Sequence, residues 1–174
     1  MKNKQLISLL PIHTKRLILK KTTINDVDLI LKMDKQEETQ KFLGGIKNKT
    51  KEERIEFLRK KEEKYKEGYA SSLTVFLKTN TPIGFVGLKI NEENNSGEIS
   101  YIFDYDYWKK GYCTEIIEKI IDISFNTLNL EKITAEVLLE NNNSSNLLEK
   151  LGFKKEIKKD NQFNNYYLLR KDYK

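Results

Sequence analysis

The 174-residue chain has one cysteine, one histidine and no apolar run of membrane-spanning length. Cys113 alone excludes an internal disulfide and a multi-cysteine metal site, and His13 is the one imidazole, so no metal centre is expected. Internal repeats, low-complexity linkers and a sharp domain boundary are missing too, which leaves a single domain over residues 1–174. The apolar stretch Leu6 to Ile12 is short and runs into Lys15 and Arg16 without a small-residue cleavage site, so it does not read as a secretory leader. No membrane association is expected, and the cytoplasm is the expected location.

Apolar residues make up 38% and charged residues 33% of the chain, enough of each for a buried core and a solvated surface. Lys and Arg number 32 against 26 Asp and Glu, a formal charge of +6 that favours anionic partners such as coenzyme A or RNA. The two signs are interspersed, as from Lys51 to Lys66, which is the pattern of a solvated face. Tyr105, Tyr107 and Trp108 have the composition of a base-stacking platform, but no RNA-binding motif accompanies them. Packing is their expected role, and no nucleic-acid partner is expected.

Leu17 to Leu19 read as a strand, and Thr23 to Asp26 open an amphipathic helix through Leu29, Ile30 and Met33. Thr50 caps a second helix from Lys51 to Glu67, ended by Gly68. Strands follow at Leu73 to Lys78, Phe85 to Ile90 and Glu98 to Phe103. Gly111 introduces a helix over Thr114 to Leu128; Ile133 to Leu138 is a strand; Asn141 to Ser145 cap a short helix that Gly152 terminates. Ile157 and Tyr166 to Leu169 complete the chain as two strands. The resulting α/β arrangement has a mixed sheet, with about seven strands and about four helices.

Chemistry concentrates in GEISYIFDYDYWKKGYCTE, Gly97 to Glu115, where a strand passes through a glycine loop into a helix. The free amides and partial positive charge of a helix N-terminus suit a diphosphate, and Gly111 lets the backbone approach it closely. Downstream lies ENNNSSNLLEKLGF, Glu140 to Phe153, after the Ile133 to Leu138 strand. WKKGYCTE resembles the pyrophosphate loop of the GNAT superfamily of N-acetyltransferases, and N-x-x-S followed by LEKLGF is similar to that superfamily's last helix. TKRLILKKTTINDVDLILKM resembles the first strand and helix of its ribosomal-protein N-terminal branch. The resemblance spans almost the whole chain and implies the GNAT acyl-CoA N-acyltransferase fold with acetyl-CoA as co-substrate.

By that resemblance the amides around Lys109, Lys110, Gly111, Tyr112, Cys113 and Thr114 cradle the pyrophosphate, with charge from Lys109 and Lys110. Ile102 and Phe103 pair with the pantetheine arm, and Asn141 and Ser144 lie beside it near the thiol. A splay between this strand and Ile133 to Leu138 forms the cleft. The reaction is attack of an amine on a thioester, so a base, an oxyanion donor and a departing thiolate are needed. Glu98, at the start of the central strand, is the candidate base, its other reading being a solvent-facing residue after a turn. Many relatives place Tyr where this chain has Leu148, which leaves Ser144 as candidate acid, its other reading being a helix cap.

Cys113 reads as a small buried residue, because direct transfer requires no acyl-enzyme. His13 reads as a surface residue. Asp104, Asp106 and Asp160 are dispersed carboxylates that read as solvated. Acceptor recognition is expected at Phe42 to Ile46 and at Asp160 to Tyr167. The resemblance implies an acceptor with a primary amine, foremost the α-amine of a protein, which titrates near about 8 against about 10.4 for a Lys side chain. A small amine such as a polyamine or an antibiotic is the alternative, and a non-catalytic acyl-CoA-binding module is another. Relatives are monomers or homodimers.

Overall fold

The computed structural model describes residues 1–70, 72–156 and 162–174. Eight strands form one sheet in the order β1 (Ile12–His13), β2 (Leu17–Lys21), β3 (Leu73–Leu77), β4 (Pro82–Asn91), β5 (Ser96–Phe103), β6 (Lys132–Leu138), β8 (Phe163–Leu169) and β7 (Lys154–Glu156). Every neighbouring pair is antiparallel except β5 and β6. A parallel pair needs a crossover, and here it is the helix α5 (Tyr112–Asp122), continued by a π turn through Thr127.

Strand alternation sends two sets of side chains to opposite faces. On one face Leu17, Leu19, Leu73, Val75, Val86, Leu88, Ile99 and Ile133 share a buried cluster with Ile116, Ile117, Ile120 and Ile121 of α5. Leu148 of α6 (Asn142–Lys150) joins the same cluster and is fully buried. Each such aliphatic side chain is worth about 1.5–3 kcal/mol on burial, which fixes α5 and α6 against the sheet. On the other face Phe85 packs against Leu29 and Met33 of α2 (Val27–Asp34), with Ile102 alongside.

Local signals start the helices on that second face. Thr23 and Asp26 form a capping box ahead of α2, and Thr50 and Glu53 form another at α4 (Lys51–Lys66). Asp34, at the end of α2, receives both Nε and a terminal nitrogen of Arg54 on α4. Their side chains are 2% and 12% exposed, so the pair ties the two helices inside the protein.

Eight strands and six helices exceed the expected counts because α1 (Lys2–Ser8), β1 and α3 (Glu37–Gln40) are short and owe their form to tertiary contacts. Leu6 of α1 is fully buried. Lys2 of α1 bonds the Asn95 side chain and, at 3.0 Å, the carbonyl of Asn129, while Gln5 Nε2 donates to the carbonyl of Thr127. The strand expected at Ile157 lies outside the described residues. None of the helices among the described residues is long and apolar enough to cross a membrane.

Removing the guanidinium of Arg54 leaves the Asp34 carboxylate buried without its counterion. Arg54→Ala is expected to lower unfolding free energy by about 3 kcal/mol, measured by urea denaturation; a change under about 0.5 kcal/mol would contradict this account of the pair.

Candidate active site

The parallel strands meet at only three register pairs, Ser96 with Lys132, Gly97 with Ile133 and Glu98 with Thr134. Beyond Glu98 they part, so the edge of β5 from Ile99 to Phe103 has no strand partner on that side. A main-chain edge inside a sheet is a template for an extended, amide-bearing ligand.

The chain leaves β5 through a braced loop. Asp104 accepts from Lys32 Nζ at 2.7 Å, Gln36 Nε2 at 2.7 Å and its neighbour's amide, Asp106 N, at 3.1 Å. Burial alone would raise the Asp104 carboxyl, but the bonds from Gln36 and Lys32 outweigh it and hold the group below its usual range. Lys32, bonded to both Asp104 and Asp106, is pushed up to about 12. Asp104 is therefore buried, 1% exposed, where the sequence reading had it solvated, and its carboxylate is occupied by the protein's own cation. Asp160 lies outside the described residues. The Trp108 indole donates to the carbonyl of Phe103 at 2.8 Å, and Tyr105 meets its ring edge-on with centroids 5.2 Å apart, so these aromatics pack the loop.

Lys109 and Gly111 both take positive φ, 59° and 77°, and turn the chain into α5. Unlike α4 and α6, α5 has no side-chain cap, so its first amides stay free at the positive end of the helix dipole. Lys110 Nζ donates to the carbonyl of Asp106, while the Lys109 side chain makes no bond among the described residues. Cys113 is partly buried and makes no covalent link; burial pushes its thiol up to about 12, far from a reactive thiolate.

Arg16, which the sequence reading left without a role, braces this loop from β2's approach. Its Nη1 donates to the carbonyl of Lys110 at 2.9 Å, its Nε to Glu115 Oε2 at 2.6 Å, and its guanidinium carbon sits 4.5 Å from the Tyr112 ring centroid. Thr14 Oγ1 and the Arg16 amide donate to Glu115 Oε1 at 2.6 and 2.8 Å. A Cβ at Gly111 would stand 3.2 Å from the Arg16 guanidinium, so loop and brace are fitted to each other. The signal lay in TKRL, yet nothing local in it names a partner 99 residues away.

Across the gap, Asn141 caps α6 by accepting from the Ser144 amide at 3.2 Å. Ser144 is thus the capped residue and Asn141 the cap, which frees the Ser144 hydroxyl to meet Tyr101 Oη of β5 at 2.6 Å. Burial raises the Tyr101 hydroxyl well above its ordinary value, so it stays protonated at neutral pH. Tyr101 went unnoticed in the sequence because a tyrosine in an alternating strand reads as core. Leu148 is fully buried in the core, and its aliphatic side chain has no proton to give.

Glu98 is exposed, makes no hydrogen bond or ion pair among the described residues, and by alternation projects on the face opposite to Tyr101. It opens on a depression of about 830 Å³ whose lining mixes Lys4, Lys89 and Lys132 with Glu67, Glu92 and Glu93. The next residue on that face, Ser100, lines a slot of about 310 Å³ floored by Met33, Phe85 and Ile102 and walled by Leu43 and Phe57. Leu43 comes from the expected Phe42 to Ile46 segment; Tyr167, from the other expected segment, faces Lys132 instead. Gln40 also belongs to the slot's lining: its Nε2 donates to the Met33 carbonyl, and its buried Oε1 has no partner among the described residues. Three or more His, Cys, Asp or Glu gathered for a metal are not found among the described residues.

An unpaired edge at a strand splay, followed by an uncapped helix behind a left-handed glycine, offers free main-chain donors along one path. Residues 16–154 match the acetyltransferase (GNAT) domain family, and the chain belongs to it; it is a GNAT-type N-acetyltransferase. The family's acyl donor is acetyl-CoA. The chain is 31% identical over 147 residues to Uncharacterized N-acetyltransferase p20 of Bacillus licheniformis, covering 83% of each. Its fold is that of a putative ribosomal-protein-serine acetyltransferase from Vibrio cholerae, with a TM-score of 0.77 at 19% identity over 91% of this chain and 96% of that one. The spermidine N-acetyltransferase of Vibrio cholerae, in complex with CoA and spermine, superposes with a TM-score of 0.75 at 23% identity, over 92% and 99% of the two chains.

Arg16→Ala removes the brace while sparing the helix amides. Calorimetry with acetyl-CoA is expected to show binding weakened about tenfold, or about 1.4 kcal/mol, with the melting temperature of the free protein lowered by no more than a few degrees. Unchanged affinity would show that the loop holds its form without Arg16.

Proposed function

We propose that this acetyltransferase moves the acetyl group of acetyl-CoA to the α-amine of a protein N-terminus. The pyrophosphate is held by the amides from Lys109, Lys110 and Gly111 into Tyr112, Cys113 and Thr114. The pantetheine arm pairs with the open edge of β5 at Ile102 and Phe103 and passes Asn141 and Ser144. The amine arrives from the slot on the opposite face. A single observation carries the choice of acceptor: the slot's lining includes one carboxylate, Asp34, and Arg54 already occupies it. The second and third ammonium groups of a polyamine find no partner there, whereas an α-amine brings one charge and an uncharged peptide body suited to Met33, Phe85 and Ile102.

The alternation of β5 distributes the protons. Glu98, on the same face of β5 as the slot but lining the neighbouring depression, takes the proton of the attacking ammonium through water, while Tyr101 and Ser144, on the other side of the strand, donate to the departing thiolate. In the tetrahedral intermediate the C–N bond has formed; its collapse breaks the C–S bond and leaves an amide and the free thiol. The pair thus supplies the acid that Leu148 cannot.

Thiol release from acetyl-CoA with an N-terminal peptide library tests the reading. Glu98→Gln is expected to lower kcat/KM about a hundredfold and Tyr101→Phe with Ser144→Ala at least about tenfold, both with the dissociation constant for acetyl-CoA unchanged. Because burial raises Tyr101 above about 10, the rate should climb as the α-amine deprotonates and show no alkaline fall up to pH of about 9. Intact acetyl-CoA binding with no peptide turned over would reject the acceptor assigned here.

A further inference from the structure

The slot that receives the acceptor has a charge opposite to the one a general amine site calls for. Its lining carries three cations, Lys47, Lys61 and Arg54, against the one carboxylate of Asp34. Arg54 and Asp34 satisfy each other, which leaves two positive charges uncompensated. Lys47 Nζ is fixed by the carbonyls of Leu43 and Gly45 at 2.6 and 3.3 Å, dipoles that orient the ammonium but do not cancel it. Lys61 Nζ lies 5.3 Å from the Phe57 ring centroid and the Arg54 guanidinium 5.5 Å from the same ring, so both cations flank one aromatic wall. Nearby carboxylates on α2 and α4 are paired with other cations: Asp28 with Lys51, Glu53 with Lys49, and Glu56 with Arg59, while Glu62 accepts the amide of Ile24 and keeps its charge.

An acceptor ammonium entering alone meets like charge. Two consequences follow, and they pull in one direction. Neighbouring cations favour the neutral amine, the form that attacks, which eases the task of Glu98. They also oppose binding unless the acceptor brings a negative group of its own. We infer that the slot selects acceptors in which the reacting amine is accompanied, a few bonds away, by an anionic group that docks between Lys47 and Lys61. Resting on the N-terminal reading above, the substrate class becomes peptides with Asp or Glu at the second or third position. The unpaired Oε1 of Gln40 supplies an acceptor for a peptide N–H in the same lining.

The test compares four amines with the intact enzyme and acetyl-CoA: two N-terminal octapeptides identical except for Asp or Lys at position two, spermidine, and a small amine bearing a carboxylate. The Asp peptide is expected to exceed the Lys peptide in kcat/KM by at least about tenfold at low salt, with the ratio shrinking as ionic strength rises. Lys61→Glu should reduce that ratio to near unity or invert it, with Lys61→Gln and Lys47→Gln as milder variants, while acetyl-CoA affinity and melting temperature hold. Peptides turned over without regard to charge, or a ratio untouched by the Lys61 variants, would overturn the inference and leave the N-terminal acceptor standing. Turnover confined to small amines bearing a carboxylate would reject the N-terminal acceptor and support the inference. Preference for spermidine, or no turnover of any of these amines, would overturn both.

Discussion

Everything at this site depends on two parallel strands that cease to pair after Glu98 and Thr134. Backbone amides and carbonyls in the interior of a sheet normally find partners, and the edge of β5 from Ile99 to Phe103 has none on the side of β6. The loop to α5 leaves a second set of donors free, because no side chain caps that helix. Both deficits lie on one path from β5 into α5, and a carrier with amides at one end and a diphosphate at the other satisfies both. The remaining scaffold holds this arrangement still: Asp104 fixes the exit from β5, Trp108 ties back to Phe103, and Arg16 locks the turn at Lys110.

The same strand separates two ionisable side chains by counting residues. Glu98 and Tyr101 are three apart, so a pleated strand sends them to opposite sides. Glu98 is exposed on one side; the other is buried against α6, where the tyrosine hydroxyl keeps its proton. Lys47 and Lys61 line the slot on the exposed side, and the Asp34 to Arg54 pair both joins α2 to α4 and neutralises the one carboxylate among the slot's described lining residues.

Much of the fold was legible from residues close in sequence. Capping residues at Thr23 and Thr50, the isoleucine stripe of α5 and the glycine before it all act locally, and the helices and strands they imply are present. The turn from β5 into α5 was legible for the same reason, being contiguous from Gly97 to Glu115. Contacts across the fold were not: Arg16 with Glu115 and Tyr101 with Ser144 each join segments far apart in the chain. Elements of two to seven residues, such as β1, α3 and α1, carry too little periodicity to be seen before their partners are known.

The short helix α1 lies at the closed end of the splay. Lys2 reaches both the Asn95 turn that enters β5 and the Asn129 turn that enters β6, and Gln5 holds Thr127 beside the second. Asn95 also reaches the Asn129 carbonyl directly and accepts the Glu131 amide through its own carbonyl. The two strands are therefore clasped at their shared root, like tongs pinned at the pivot. The width at the tips, some five residues away, inherits whatever rigidity that clasp has, which makes a surface helix remote from the chemistry a determinant of how far the jaws stand apart.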